Sequence, residues 1–341
     1  MTQTSTPVTA LDVARLAGVS QSAVSRVFTP GASASKHTIS KVQAAAEQLG
    51  YRPNPLARAM ITGRTRMIGL VVAYLENQFY PMALERLSRV LQAEGYHILV
   101  FMAENHTEQV TEVVQELIDY RVDGIITASV GLSNDITSRL SALGIPVVMF
   151  NRGQDDDGLS EVTSDNIAGG RRAAEFLIAA GHERIAHIMG WQGSSTGRDR
   201  ATGFRLAMEE AGRRPHALVD GMYDRKTAAA AARDLCSAGT RPDAIFVGND
   251  HMAFAVMDEL RFGLGLSIPN DVSVIGYDDV PMASWPAYAL TTIRQPVNRM
   301  VAATVEVLLG HLSGDRTPRK TRIDGPLMIR GSARLSEGER P

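Results

Sequence analysis

Hydrophobic and polar positions change rhythm along the chain. Up to about residue 50 the apolar residues recur at helical spacing in short runs, each bounded by a capping or breaking residue. Thr9 with Asp12 three residues on has the form of a capping box and opens a helix at about 10–17. Gly18-Val19 predicts a tight turn, because glycine enters positive φ without steric cost. Ser20 is a good N-cap for a second helix over 21–28, which Pro30-Gly31 breaks. A third helix is expected at about 36–49, with Ile39, Val42, Ala46 and Leu49 on one stripe and Gly50 at its end. Pro53 and Pro55 then forbid a helix until about residue 55, and 56–61 hold little more than one helical turn before Gly63. That stretch reads as a linker that folds on contact with a partner.

From residue 67 apolar runs of strand length take over. They fall at 67–75, 97–103, 124–129, 146–151, 185–191, 244–249 and 272–277, with a weak strand near Leu218. Amphipathic helical stretches separate them, for example at 82–94, 108–120, 197–212 and 251–263. Strands alternating with helices of this length mean βαβ units and parallel sheets, and the pattern runs long enough for two lobes. The expected organisation is a helical head at 1–50, a hinge segment at 51–65, an α/β body at 66–333 and a polar tail at 334–341.

Charge sharpens this division. Residues 1–66 carry eight basic and two acidic side chains, whereas the remainder carries 27 basic and 35 acidic ones. A basic head on an acidic body points to a polyanionic partner for the head alone. A single cysteine, Cys236, excludes a disulfide framework and fits a reducing cytoplasm. No apolar run approaches a membrane span, and the polar start MTQTSTPVTA lacks a signal peptide's apolar stretch.

The run from Asp12 to Val27 reads as a helix-turn-helix. Val13, Ala14, Ala17, Val19, Val24 and Val27 supply the small apolar contacts that let two short helices cross closely. Gln21, Ser22, Ser25 and Arg26 are left on the outer face of the second helix. Glutamine pairs with adenine and arginine with guanine in the major groove, so double-stranded DNA is the expected partner.

These residues also carry a resemblance. The run VARLAGVS with AVSRV and the later GYRPNPLARAM, together with Asp165-Asn166, Gly181-His182, Gly248-Asn249-Asp250 and Ile275 to Asp279, resemble the LacI–GalR family of transcriptional regulators. The likeness covers almost the whole chain. It implies an N-terminal all-α helix-turn-helix head and an α/β body of two doubly wound lobes, similar to periplasmic sugar-binding proteins. It further implies a cytoplasmic homodimer, most simply a repressor, that reads a palindromic operator and answers to a small-molecule effector. DNA contacts are then expected from Thr9, Ser20, Gln21, Ser22, Ser25, Arg26, Asn54 and Ala57, with Met60 as the wedge where relatives usually have leucine.

Ligands of open parallel sheets sit at the carboxyl ends of strands. Residues at those ends are Phe79, Tyr80, Ser129, Asn151, Arg198, Arg200, Tyr223, Asn249 and Asp278. Aromatic faces can cover the C–H face of a sugar or base, while Asp, Asn and Arg fork onto hydroxyls or a carboxylate. Pattern alone leaves Phe79 and Tyr80 open between core and site, and leaves Asn249 and Asp278 open between site and local capping. Arg152 beside Arg198 and Arg200 suggests an anionic effector such as a sugar acid. The family resemblance leaves a neutral sugar or related metabolite open, because relatives use arginine on neutral sugars too. No phosphate loop, nucleophile elbow or zinc-helix motif occurs, so neither an enzyme nor a cofactor or metal site is expected.

Overall fold

Small side chains decide how the first three helices meet. The computed structural model describes residues 8–29, 32–53, 63–103, 107–155, 158–237 and 239–335. The chain divides into two compact units, Met1–Thr65 and Arg66–Pro341. In the first, α1 (Ala10–Ala17), α2 (Gln21–Val27) and α3 (Lys36–Leu49) bury Val13, Ala14, Ala17, Val24, Val42, Ala45 and Ala46 against one another. Alanine and valine at the contacts let the helix axes approach, which longer side chains would prevent. The caps follow the sequence. Thr9 and Asp12 form a reciprocal capping box, Ser20 Oγ accepts from Ala23 N, and Ser35 Oγ accepts from Thr38 N. Gly18 and Gly50 take φ of 65°, closing α1 and α3 in the left-handed region. The second helix ends at Val27, one residue before the expected Phe28.

The second unit holds two six-stranded sheets. The first has the order β11-β5-β4-β3-β1-β2, all parallel: β1 (Met67–Val72), β2 (His97–Met102), β3 (Gly124–Ala128), β4 (Val147–Phe150), β5 (Ser160–Ser164) and β11 (Lys320–Ile323). The second has the order β12-β10-β9-β8-β6-β7: β6 (Ile185–Met189), β7 (Ala217–Asp220), β8 (Ala244–Val247), β9 (Ser273–Asp278), β10 (Thr291–Arg294) and β12 (Leu327–Met328), with β12 antiparallel. Each β-rich run expected from the pattern is present as a strand. Strands β5, β10, β11 and β12 were not among them.

The chain passes between the two lobes three times. After β5 it enters the helix Asn166–Ala179, which packs on the second sheet. After β10 it enters the helix Val297–Leu312, which packs back on β4 and β5 of the first sheet. From β11 it returns to β12 through Asp324-Gly325-Pro326. The three crossings are tied together: Asp165 N donates to Ile323 O (3.0 Å), Arg294 N to Pro326 O (2.8 Å), and Ser164 Oγ to Gln295 Oε1 (2.9 Å).

One polar core group gives the body an acid sensitivity. His187 on β6 is fully buried, its ring stacked 4.3 Å from that of Phe246, and its Nδ1 donates to the Phe246 carbonyl (2.9 Å). Burial, aided by the charges of Arg200 and Arg205, pushes this imidazole from 6.5 down to about 3. Burial and the Arg334 guanidinium push His182 down to about 4. Below pH 6.5 the unfolded chain therefore takes up protons that the native one refuses, and stability falls as pH drops toward these values. Each histidine contributes a slope of about 1.4 kcal/mol per pH unit within its window. Urea midpoints at pH 7 and pH 4.5 should show this loss. His187→Asn, which keeps a donor for the carbonyl, should flatten the slope.

Candidate functional site

Two surfaces carry the expected chemistry. On the helical head, Gln21, Ser22, Ser25 and Arg26 are all exposed on α2. Thr9 and Ser20 are also exposed, and their hydroxyl oxygens are engaged as caps. Ser20 Oγ and Ser22 Oγ lie 2.9 Å apart, and Arg26 Nε reaches Ser22 O at 3.4 Å. The face is therefore polar and solvent-facing, with its apolar side spent on the helix contacts. Asn54, Ala57 and Met60 lie outside the described residues.

In the body, the carboxyl ends of the strands from both lobes converge on a cavity of about 10 Å³. Tyr74, Asn77, Tyr80 and Asn151 line it from the first lobe. Thr196, Arg200, Tyr223, Asn249 and Asp278 line it from the second. That volume holds at most one water, so the walls meet one another. Asn77 Nδ2 donates across the cleft to Asp278 Oδ2 (3.1 Å). Gln295 Nε2, at a lobe crossing, donates to Asp278 Oδ1 (2.7 Å). Arg200 stands 3.8 Å from the same carboxylate, donates to Asn166 Oδ1 and Gly248 O, and lies 3.6 Å over the Tyr277 ring.

Backbone conformation marks the same places. Ser129, Asn151, Tyr223 and Asp278 all have positive φ, at 69°, 70°, 57° and 130°. Side-chain-bearing residues avoid this region, and such strain collects where a side chain must be aimed at a ligand. Behind Asp278 lies Asp250, fully buried, which accepts from Thr292 Oγ1 (2.6 Å) and Val280 N (3.0 Å). Burial, with the Asp278 carboxylate beside it, pushes the Asp250 carboxyl up to about 8. Burial raises Asp278 as well, but Arg200, Asn77 and Gln295 oppose it. Of the two, Asp278 is the carboxyl that lines the cleft.

Of the nine body residues expected from sequence, Tyr80, Asn151, Arg200, Tyr223, Asn249 and Asp278 meet at this cavity. Asn249 does two jobs, since its Oδ1 also caps the helix Asp250–Asp258 through Met252 N (2.9 Å). Phe79 is fully buried and stacks on Phe150 at 6.1 Å, in the core behind the cavity. Ser129 is buried beside the wall, where its carbonyl accepts from Arg152. Arg198 lines a neighbouring cavity and pairs with Asp155. Tyr74, Asn77, Thr196 and Gln295 were missed. Their sequence signal was position alone, in the loop after β1 for Tyr74 and Asn77, in the first turn of Ser195–Glu210 for Thr196, and at a crossing for Gln295.

Comparison with known proteins decides the lineage. Residues 9–54 match the family model for bacterial regulatory proteins of the lacI family, and residues 174–333 match that for a periplasmic binding protein-like domain. The chain is 35% identical over 329 residues to the ribose operon repressor of Escherichia coli (strain K12), an alignment spanning 94% of this chain and 98% of that protein. The chain belongs to the LacI family. This LacI-family chain is also 33% identical over 301 residues to the transcriptional repressor PurR of Vibrio vulnificus, covering 87% of this chain and 90% of PurR. Among solved structures it resembles the lac repressor dimer bound to operator and the anti-inducer ONPF. That match has a TM-score of 0.88 at 27% identity, over 97% of this chain and 100% of that one. The complex of the regulator CelR with cellobiose matches with a TM-score of 0.72 at 30% identity, over 96% and 100%. Among the described residues, no helix of this LacI-family member is long and apolar enough to cross a membrane, and no group of side chains could hold a metal ion.

Proposed function

We propose that this LacI-family chain is a transcriptional repressor whose hold on an operator is set by a small polar metabolite bound between the two lobes. The observation that carries this reading is the joining of both lobes at Asp278, through Asn77 on one side and Arg200 on the other. A ligand that enters there must part these contacts and replace them with its own. It therefore binds the open and closed arrangements with different strength, which is the condition for any effector. Relatives support the same division of labour: one structure pairs a dimer with operator, another pairs a regulator with cellobiose. We read the chain as a homodimer working in the cytoplasm, with residues 1–50 as the DNA-binding part, 51–65 as a hinge and 66–333 as the effector-binding part. We assign it regulation and no catalytic role.

Electrophoretic mobility shifts on operator DNA, with and without a panel of sugars and purines, test the proposal. A panel member must change the midpoint, and a Tyr223→Ala variant must lose that change. The head has its own test. Arg26→Ala should cost about 1–3 kcal/mol on the specific operator and relax one base position, as for a lost bidentate guanine contact. Equal weakening on every sequence would instead mark Arg26 as a phosphate contact.

A further inference from the structure

A second cavity, of about 380 Å³, opens beside the small one and is lined by Arg152, Gln154, Asp155, Trp191, Ser195 and Arg198, among others. Arg152 is its key. The side chain is 6% exposed, its guanidinium lies 5.6 Å from the Trp191 ring, and Nη1 donates to Ser129 O (2.7 Å). Its Nε is buried without a hydrogen-bond partner, and among the described residues no carboxylate stands within ion-pair distance of it. A buried guanidinium left without a counter-charge is costly, so a site of this kind favours an anionic group. The charge also reaches the small cavity, where it opposes the upward shift of the Tyr74 and Tyr80 phenols.

The rest of the wall favours an anion too. Arg198 is half exposed, and the carboxylate it pairs with, Asp155 at 3.5 Å, is itself 97% exposed. So open a pair is weak, and an arriving anion displaces it. Both arginines flank the N-terminus of the 16-residue helix Ser195–Glu210, which has no acidic residue in its first turn. Two further acids stand near this wall: Glu161, which accepts from Gln154 N (3.2 Å), and Asp199, where burial pushes the carboxyl up while Arg322 and Arg198 oppose that rise. In the small cavity, by contrast, Arg200 is matched by Asp278. Neutral hydroxyls suit that inner site, and a charged group suits the outer one.

We infer that the effector is an anionic sugar derivative, a phosphate ester or a sugar acid, whose hydroxyls meet Asp278 and Asn249 and whose charged group lies between Arg152 and Arg198. This rests on the reading of the cleft as the effector site. Calorimetric titration of the full chain with ribose 5-phosphate, glucose 6-phosphate and D-gluconate, against ribose, glucose and inorganic phosphate, tests it. At least one charged compound should bind about tenfold or more tightly than its neutral parent, with the phosphates and gluconate distinguishing ester from acid. Arg198→Gln, at a half-exposed position, and Arg152→Gln should each erase about tenfold of that charged-over-neutral advantage. Arg152→Lys, which keeps charge without the fork, should retain part of it.

A neutral sugar that binds as well as its charged derivative, or a panel in which nothing binds, overturns the assignment. Phosphate bound equally by wild type and both Gln variants is an adventitious ion only, and also counts against it. The underlying cleft reading fails separately, if Asp278→Asn leaves the affinity of every binding compound unchanged.

Discussion

Asp278→Asn is expected to uncouple the protein from its effector while leaving ligand-free operator binding intact. The substitution keeps the shape of the side chain at its unusual φ of 130°, a region asparagine tolerates better than most residues. It removes the negative charge that Asn77, Gln295 and Arg200 surround. A ligand hydroxyl that donates to this carboxylate makes a charge-assisted bond, whose loss costs about 1.5–3 kcal/mol. The effector concentration for half-response should therefore rise by roughly one to two orders of magnitude. If the effector is an inducer, the variant goes on repressing until effector reaches that higher range; if it is a corepressor, the variant binds operator weakly until then. Operator titrations at increasing effector concentration read the shift directly. Asp278→Ala is the cruder test, because it removes every acceptor for Asn77 and Gln295 as well as the charge facing Arg200, adding a folding cost of about 3–5 kcal/mol.

A loss of stability on that scale should also come from a position that touches no ligand. Gly203→Val is expected to destabilise the body by about 3 kcal/mol or more, because the helices Asn166–Ala179 and Ser195–Glu210 cross with their backbones in contact. A Cβ built on Gly203 would overlap Ile167 O and come within 2.9 Å of Arg171 N, while one on Gly170 would overlap Arg200 O. Backbone cannot swing aside as a side chain can, so the helices must separate. Arg200 rides on that crossing, and effector affinity should fall along with the urea midpoint. Gly310→Ala is the matched control: it sits in the last turn of Val297–Leu312, meets nothing within 4 Å, and should cost nothing and gain up to about 0.5 kcal/mol from helix propensity.

Much of this architecture was legible in the residues, and the failures have physical causes. Thr9, Ser20, Gly18 and Gly50 announced the helix ends because capping is local chemistry, decided within four residues. Strand β5, Ser-Glu-Val-Thr-Ser, escaped notice because it has a single large apolar residue, yet it is buried throughout. Its hydroxyls are satisfied by distant partners, Ser160 by His311 and Ser164 by Gln295, which no local pattern reveals. Phe79 and Tyr80 were indistinguishable in sequence, yet adjacent helical positions point in different directions. Phe79 entered the core and Tyr80 the cavity wall, where its hydroxyl accepts from Asn151 Nδ2 (2.9 Å). Asn77 joined the site through a contact 201 residues away in sequence, beyond the reach of any spacing argument.

The triple crossing between the lobes has a consequence for how the protein can be made. The first sheet gains its outer strand only from Lys320–Ile323, and one of its covering helices from Val297–Leu312. The second sheet awaits Leu327–Met328. During vectorial synthesis the helical head emerges and folds long before either lobe has its full complement of strands. Both lobes then reach completion almost together, once the last few dozen residues leave the ribosome. A truncated or stalled product would therefore carry a finished DNA-reading head on an unfinished body, and neither lobe can be excised as one continuous piece of chain.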